Sequence, residues 1–369
     1  MSQDFQYVAD ILVSTGVDIL RQNAVAPRLV NTDKQREAAQ KNQYITVPVP
    51  SPVAAQDITA GSAMTRIELA PSGVQVKLDQ WKGASFQMSD KEMAEVVESR
   101  VVPMEAGEAI KSIANAVDAF VIGKLRKRAF GVQDTSSGTA VADITAVRKI
   151  LNLQLCPVDN RRLLVDPIVE AEMLNLDAFR DVDKTGQSGA LLEGSLGRRL
   201  GFDIFMDQNI VNAAIGSATN TYLANAQFAI GDLSGVVKTG SGTVLEGDII
   251  TFAGSTLTYV VTSGVTAAGQ TLAWYPACRT TVASGDAITI KATRTNSLAF
   301  HRDAMVFASR PLTVNVTPGV IISQDQDPIS GISLRCEVKR INKMTIWEFD
   351  CLYGGEVVRP ELICRLADA

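Results

Sequence analysis

One stretch limits what this chain can become. Residues 105–130, EAGEAIKSIANAVDAFVIGKLRKRAF, set Ala106, Ala109, Ile110, Ile113, Val117, Phe120 and Val121 three and four apart. That spacing is a single apolar stripe on an α-helix. Glu108, Lys111, Ser112, Asn115 and Asp118 fall on the opposite face. Pro103 precedes the start, where a missing N–H costs nothing. Glu105 and Glu108 lie in the first turns, and Lys124, Arg126, Lys127 and Arg128 in the last, an order that suits the helix dipole. Such a helix is about 39 Å long. Its flanks read mostly as β, so it is expected to be a spine lying across strands, a scaffold more than a chemical site.

The rest of the chain is organised around that spine. Residues 2–30 read as one amphipathic helix through Val8, Ile11, Leu12, Ile19 and Leu20, ending before Pro27. A polar arm, NTDKQREAAQKNQ, leads to an alternating segment, 44–50, whose prolines confine it to a sheet edge. Residues 66–80 read as a hairpin: Ile67 and Leu69, a Pro71-Ser72-Gly73 turn, then Val74, Val76 and Leu78. Two half-polar strands do not stand alone in water, so the hairpin is expected to lean on something outside its own domain. Ser89-Asp90-Lys91-Glu92 is a capping box opening a helix to about Arg100. Beyond a QDTSSGTA linker come a helix over 143–155, a buried strand over 162–165, and a helix capped by Asp166-Pro167 that runs to Ala178. Gly194, Gly197 and Gly201 punctuate a loop before a strand through Phe202, Ile204 and Met206.

Composition shifts at Gly231. From there to Gly285 the chain carries nine of its 27 glycines, and residues 231–286 hold only six charges. Short β runs fill the segment: 248–252, 256–261, 271–275 and 287–290. Gly247-Asp248-Ile249-Ile250-Thr251 recurs as Gly285-Asp286-Ala287-Ile288-Thr289, a turn into a strand used twice. This predicts a small all-β insertion, a sandwich or barrel. The C-terminal region alternates Ile332, Leu334, Cys336 and Val338, then Trp347, Phe349, Cys351 and Tyr353, with Gly354-Gly355 breaking the second run.

Chemistry is thinly represented. At 369 residues and 46% hydrophobic, the chain is long enough for two or three substructures. Its net charge of -5 argues against a dedicated nucleic-acid binder. The acidic N-terminus lacks a basic n-region, and no apolar run reaches membrane-spanning length, so a soluble, cytoplasm-made protein is expected. Five scattered cysteines without a CxxC read as buried hydrophobes. His301-Arg302-Asp303 lacks the rest of a kinase set and reads as a strand-to-helix junction capped by Asp303. Gly194-Ser195-Leu196-Gly197 is neither a nucleophile elbow nor a P-loop. Asp181, Asp183 and Glu193 do not have EF-hand spacing. Arg126 to Arg128, Arg161-Arg162 and Arg198-Arg199 read as solvated faces. No catalytic, cofactor-binding or metal-binding residue is assigned, and no enzyme is expected.

The order of these elements resembles the major capsid proteins of tailed double-stranded DNA bacteriophages, the Hong Kong phage capsid fold. The matching pieces are LVNTDKQREAAQKNQYITVPVPSP, the hairpin with capping box and spine, RRLLVDPIVEAEMLN, LLEGSLGRRLGFDIFMDQN, and AFHRDAMVFASRPL followed by ISLRCEVKRINKMTIWEFDCLYGGEVVRPELICRL. The glycine-rich module with GDIITFAG is similar to the extra β-barrel of podovirus-type coat proteins. The resemblance implies an α+β fold with five regions. These are an N-terminal arm (1–43), an extended loop and peripheral domain with the spine (44–142), a first axial-domain segment (143–230), an inserted β-barrel (231–296), and a second axial-domain segment with a closing peripheral sheet (297–369). It further implies a loop at about 60–88 projecting to a neighbouring subunit, with contacts through Ile67, Leu69, Val76, Lys77, Asp79, Trp81 and Lys82. Gly107, Gly123, Gly131 and Gly138, the last two in the 131–140 linker, are candidate hinges.

The function implied is an icosahedral head shell in the virion, built in the host bacterial cytoplasm from pentameric and hexameric capsomers and expanding from a procapsid. It encloses double-stranded DNA without sequence-specific binding, takes a portal protein, and has no cofactor and no membrane. Some forty residues precede the first strand, too few for a fused scaffold, so a separate scaffolding protein is expected, and no covalent crosslinking. Two rivals stand beside this reading: a tail or adhesin-like protein reading a ligand with the β module, and an acid/base hydrolase using Asp181 and Asp183.

Overall fold

The computed structural model describes residues 2–34, 44–49, 55, 57–58, 72–92, 104–135, 138–181, 194–210, 215–218, 222–255, 257–291, 296–312 and 320–368. The spine is a continuous helix, Met104–Lys127. Ala106, Ile110, Ile113, Val117 and Val121 are buried as the stripe predicts, joined by Ala114 and Leu125. The N-terminal helix, Ser2–Asn23, packs on the spine, and a separate short helix follows at Ala26–Leu29. The expected single helix over 2–30 is therefore two, because the chain turns at Ala24 and Val25 and delivers the backbone N–H groups of Val25 and Ala26 to the spine. Asp118 is fully buried at that turn, accepting from Val25 N at 3.2 Å and Ala26 N at 3.0 Å. It does not lie on a solvent face as expected, because this crossing covers it.

Under the spine lies a sheet built from β3 (Gln80–Ser89), β15 (Met305–Ser309), β16 (Val320–Gln326), β17 (Ser333–Ile341) and β18 (Met344–Val357). Its order is β15-β18-β17-β16, and β3 also pairs with the long β18. The alternation at 347–353 buries Trp347, Phe349, Cys351 and Tyr353 against the helices. Phe86 of β3 stacks with both Trp347 and Phe349, at 6.2 Å between ring centroids. Gly354 is a close-approach position: a Cβ there would sit 2.0 Å from Lys77 O.

One expectation for the loop region changes here. A strand β1 (Tyr44–Val49) pairs with β2 (Ser72–Lys77), running from Tyr44↔Lys77 to Val49↔Ser72. The first strand of the expected 66–80 hairpin, with Ile67 and Leu69, lies outside the described residues. Residues 80–88, expected in a loop projecting to a neighbour, are instead a strand paired with this chain's own β18 from Tyr353↔Gln80 to Met344↔Ser89. The capping box is present, with Ser89 N donating to Glu92 Oε2 at 2.8 Å, and the helix expected beyond it falls outside the described residues.

A second, mixed sheet contains β4 (Gly131–Thr135), β5 (Arg161–Val165), β6 (Arg198–Arg199), β7 (Phe202–Met206), β14 (Asn296–His301) and β19 (Ile363–Asp368). Its order is β4-β19-β14-β5-β7-β6. Helices Val141–Leu153 and Pro167–Asn175 accompany it, the latter capped by Asp166 accepting from Val169 N at 3.2 Å. One apolar core runs from the N-terminal helix through the spine into both sheets.

The insertion consists of β8 (Tyr222–Ala224), β9 (Ser234–Lys238), β10 (Ile249–Phe252), β11 (Thr258–Ser263), β12 (Thr271–Tyr275) and β13 (Ala287–Ile290). They close into a six-stranded barrel, β10-β11-β12-β9-β8-β13. It has its own aromatic core, with Phe228, Phe252 and Trp274 in edge-to-face and tilted contact at 5.1–6.0 Å. The barrel begins before the expected 231 boundary, because β8 closes it between β9 and β13.

Candidate assembly surface

The residues expected to contact neighbours divide by exposure. Val76 is fully buried with Ile45, Leu78, Val306, Ala308 and Leu352, so it belongs to this chain's own core and is no contact. Strand alternation points Lys77 the other way, its ammonium 5.9 Å from the Tyr44 ring centroid. Asp79 is exposed and accepts from Gln80 Nε2 at 2.9 Å. Trp81 is half exposed, with its Nε1 donating to Asp350 Oδ2 at 2.8 Å. Lys82 is exposed opposite Cys351.

From Trp81 the outer face of the sheet continues as a charged ladder. Arg335 Nε donates to Asp350 Oδ1 at 2.8 Å, its Nη2 pairs with the other carboxylate oxygen, and Lys339 bridges Glu348 at 2.8 Å. Gly83 and Ser85 leave a concavity of about 390 Å³ beside these groups. Among the described residues, no strand pairs the free edge of β3. The face thus combines a strand edge that no described strand pairs, an anchored tryptophan and fixed charges, which are features of a surface for protein association.

The candidate hinges also separate. Gly107 and Gly123 lie inside the unbroken spine helix, and Gly138 is in a left-handed turn (φ 93°) before Val141. Gly131 is a strand residue of β4, parallel to β19, where a Cβ would come 2.5 Å from Ile150 Cγ2. A packed ladder position is not a linker, so Gly131 leaves the candidate hinges.

The barrel is fixed to the body by a buried arginine that the sequence did not mark. Arg365 on β19 donates through Nη1 to Gly247 O at 2.8 Å and to Arg126 O, in the last turn of the spine, at 3.0 Å. Burial, then the neighbouring Arg126, pulls its guanidinium down to about 9. Lys127 pairs with Glu246 at 3.3 Å, and Phe130 meets Tyr275 edge-on at 5.2 Å. Arg161, expected in a solvated spot, is likewise buried and donates to Pro157 O, Asn152 Oδ1 and Cys156 O.

The groups that carry chemistry in other proteins are used structurally. Burial pushes the thiols of Cys336, Cys351 and Cys364 up to about 12, far from a reactive thiolate. His301 Nδ1 accepts from Asp303 N at 3.2 Å, so the histidine caps the turn and Asp303 does not. Asp181 pairs with Arg180, and Asp183 and Glu193 lie outside the described residues. Among the described residues, no three His, Cys, Asp or Glu side chains gather for a metal, and no helix is long and apolar enough to cross a membrane.

Comparison with known proteins settles the family. A family model described as phage capsid protein matches residues 72–262, more than half of the chain, from β2 through the spine into β11 of the barrel. Among solved structures, one from Mycobacterium phage Che8 superposes with a TM-score of 0.52 at 15% identity, covering 93% of this chain and 91% of that one. The capsid structure of cyanophage P-SCSP1u gives 0.51 at 12% identity, covering 92% and 86%. No curated protein is matched in sequence. At these identities the superpositions establish the fold, and the family match adds the role: the chain belongs to the phage capsid protein family and is a shell-forming major capsid protein.

Proposed function

We propose that the chain is the coat subunit of an icosahedral head, assembled as pentameric and hexameric rings around a separate scaffolding protein in a bacterial cytoplasm. In this reading the shell later expands around double-stranded DNA, with a portal protein at one vertex. The match of the capsid family over residues 72–262 carries the reading. It is supported by the segment leading from β2 into β3, where Lys77, Asp79, Trp81 and Lys82 stand beside a strand edge that no described strand pairs. A ten-residue edge unpaired among the described residues invites another chain, and in a shell that chain is a second copy. The subunit's work is then association, without catalysis. Gly107, Gly123 and Gly138 are the places where we expect the peripheral and axial regions to shift during expansion.

The test is co-expression with the candidate scaffolding protein, followed by negative-stain electron microscopy and light scattering. Closed shells, or capsomer rings and tubes, are the expected result. A small oligomer that stays small across salt conditions, with and without the scaffold, would overturn the head-shell reading. Glycan binding by the barrel in that oligomer would then favour the adhesin-like role.

A further inference from the structure

Two buried carboxylates at the meeting point of the N-terminal helices, the spine and β7 have no counter-charge among the described residues. Asp118 is fully buried on the spine, and Asp207, 3% exposed, follows β7. Asp118 accepts from the backbone of Val25 and Ala26, and its Oδ2 accepts from Asn209 Nδ2 at 3.2 Å. The same Nδ2 lies 3.4 Å from Asn115 Oδ1. Asp207 Oδ1 accepts from Asn209 N at 2.8 Å, while its Oδ2 is buried and has no hydrogen-bond partner. Beside them is a cavity of about 300 Å³ lined by Asn23, Val25, Asn115, Met206, Asp207, Gln208 and Asn209, with no lysine or arginine.

Burial pushes Asp118 up to about 7, with Asp207 as the second cause, and burial also raises Asp207. Two buried carboxylates without a cationic partner are costly as anions. An orphaned carboxylate oxygen on a residue that lines one cavity with Asn115 and Asn209, next to room for water, supplies oxygen donors of the kind a hard cation takes. The arrangement differs from an ordinary polar cluster because its lining supplies oxygen acceptors and no positive group. Asn209 Nδ2 holds the place between Asp118 Oδ2 and Asn115 Oδ1 where a positive charge is wanted.

We propose that this cavity is a divalent-cation site, taking Ca²⁺ or Mg²⁺ on Asp207 Oδ2, Asn115 Oδ1 and an Asn209 amide oxygen, with Asp118 as the second carboxylate and water completing the shell. Turning the Asn209 amide over brings its oxygen toward Asp118 Oδ2 and Asn115 Oδ1, and the cation replaces the lost N–H donor. The ion ties three elements that are far apart in sequence: the turn at residues 24–26, the middle of the spine and the end of β7. Its occupancy therefore sets how firmly the N-terminal helices are held on the spine.

The test uses the assembled full-length chain at pH 8, first in EDTA and then titrated with CaCl₂ or MgCl₂, with NaCl at matched ionic strength as control. The divalent ions are expected to raise the melting temperature by roughly 5 °C at about a hundredfold excess over the dissociation constant. Calorimetric titration is expected to count one ion per chain. Asp207→Asn is expected to remove the response and melt no lower than wild type in EDTA, since it relieves a repelling pair. Asn115→Ala is expected to weaken the apparent affinity about tenfold. Identical melting of wild type in EDTA and CaCl₂ would overturn the proposal and leave protons as the sole neutralising partner. A full response in Asp207→Asn would also overturn it, by moving the ion elsewhere. If Asp207→Asn does not fold, an unchanged affinity in Asn115→Ala decides against the site.

Discussion

His301, the chain's single histidine, shows how a titratable side chain serves as a structural piece. It is 5% exposed, and its Nδ1 accepts a backbone N–H, a role open only to the neutral ring. Burial lowers its pKa, as do Arg161 and Arg162, while the carboxylates of Asp303 and Asp159 raise it, with burial the largest cause. A folded pKa below the unfolded one means that unfolding takes up a proton. The contribution is complete above about pH 6.5 and is lost as pH falls through the folded value, with a slope of at most about 1.4 kcal/mol per pH unit. Asp118 acts in the opposite sense: its raised pKa gives stability that is full below about pH 4 and lost as pH rises through about 7. Wild type and His301→Asn should therefore be compared in EDTA by urea unfolding between pH 5 and 8, where the wild-type midpoint is expected to fall more steeply on the acid side. Parallel curves would refute the histidine's role. None of this is visible in the residue string. Asp118 and Arg161 are the same letters in the sequence whether bathed in water or covered, and periodicity cannot show which polar residue another element will cross.

At the scale of elements, the readable ones are those whose local pattern and tertiary surroundings agree. The spine stripe, the strands at Thr271–Tyr275 and Ala287–Ile290, and the Asp166 cap sit where their residues put them. The strand β3 escapes a sequence reading because QWKGASFQMS carries a glycine, a lysine and little alternation, and its place is set by Phe86 stacking on a strand some 260 residues away. The strand β8 escapes it because three residues, Tyr222–Ala224, are too few for a period. The repeated Gly-Asp turn is legible, and the structure shows why it recurs. Asp248, Asp286 and also Asp232 each return a carboxylate oxygen to the N–H three residues back, at 2.7, 2.8 and 2.7 Å. The glycine before each has a φ of 95°, 96° and 100°. This gives a graded prediction. Gly285→Ala meets open space and carries only the backbone strain, about 1–2 kcal/mol. Gly247→Ala carries the same strain and also drives its Cβ to 3.1 Å from Lys127 Cγ, at the joint between barrel and spine. Denaturant unfolding should rank Gly247→Ala as the more damaging. Equal losses would mean that the joint yields freely.

For the whole molecule, the division into a spine-and-sheets body and an inserted barrel follows from composition and element order, whereas violations of local rules are where contacts between copies are expected. Leu155 breaks two of them. It is a leucine in the left-handed region (φ 56°), which costs about 1 kcal/mol, and it is 90% exposed. Leu153 and Val158 beside it are 69% and 59% exposed, so the loop leaving helix Val141–Leu153 offers three apolar side chains to solvent. A free subunit gains nothing from this arrangement; a turn residue such as asparagine fits the backbone better and hydrates well. A shell-forming chain is stabilised by what its neighbours cover, through mass action on the assembled state. Leu155→Asn is therefore expected to leave the dissociated subunit as stable as wild type, or up to about 1 kcal/mol more stable. The same variant should raise the concentration needed for assembly, read by light scattering across a dilution series. Normal assembly with a stabilised subunit would show that this loop stays bare in the shell. A destabilised subunit would show that Leu155 serves its own chain, contrary to its exposure.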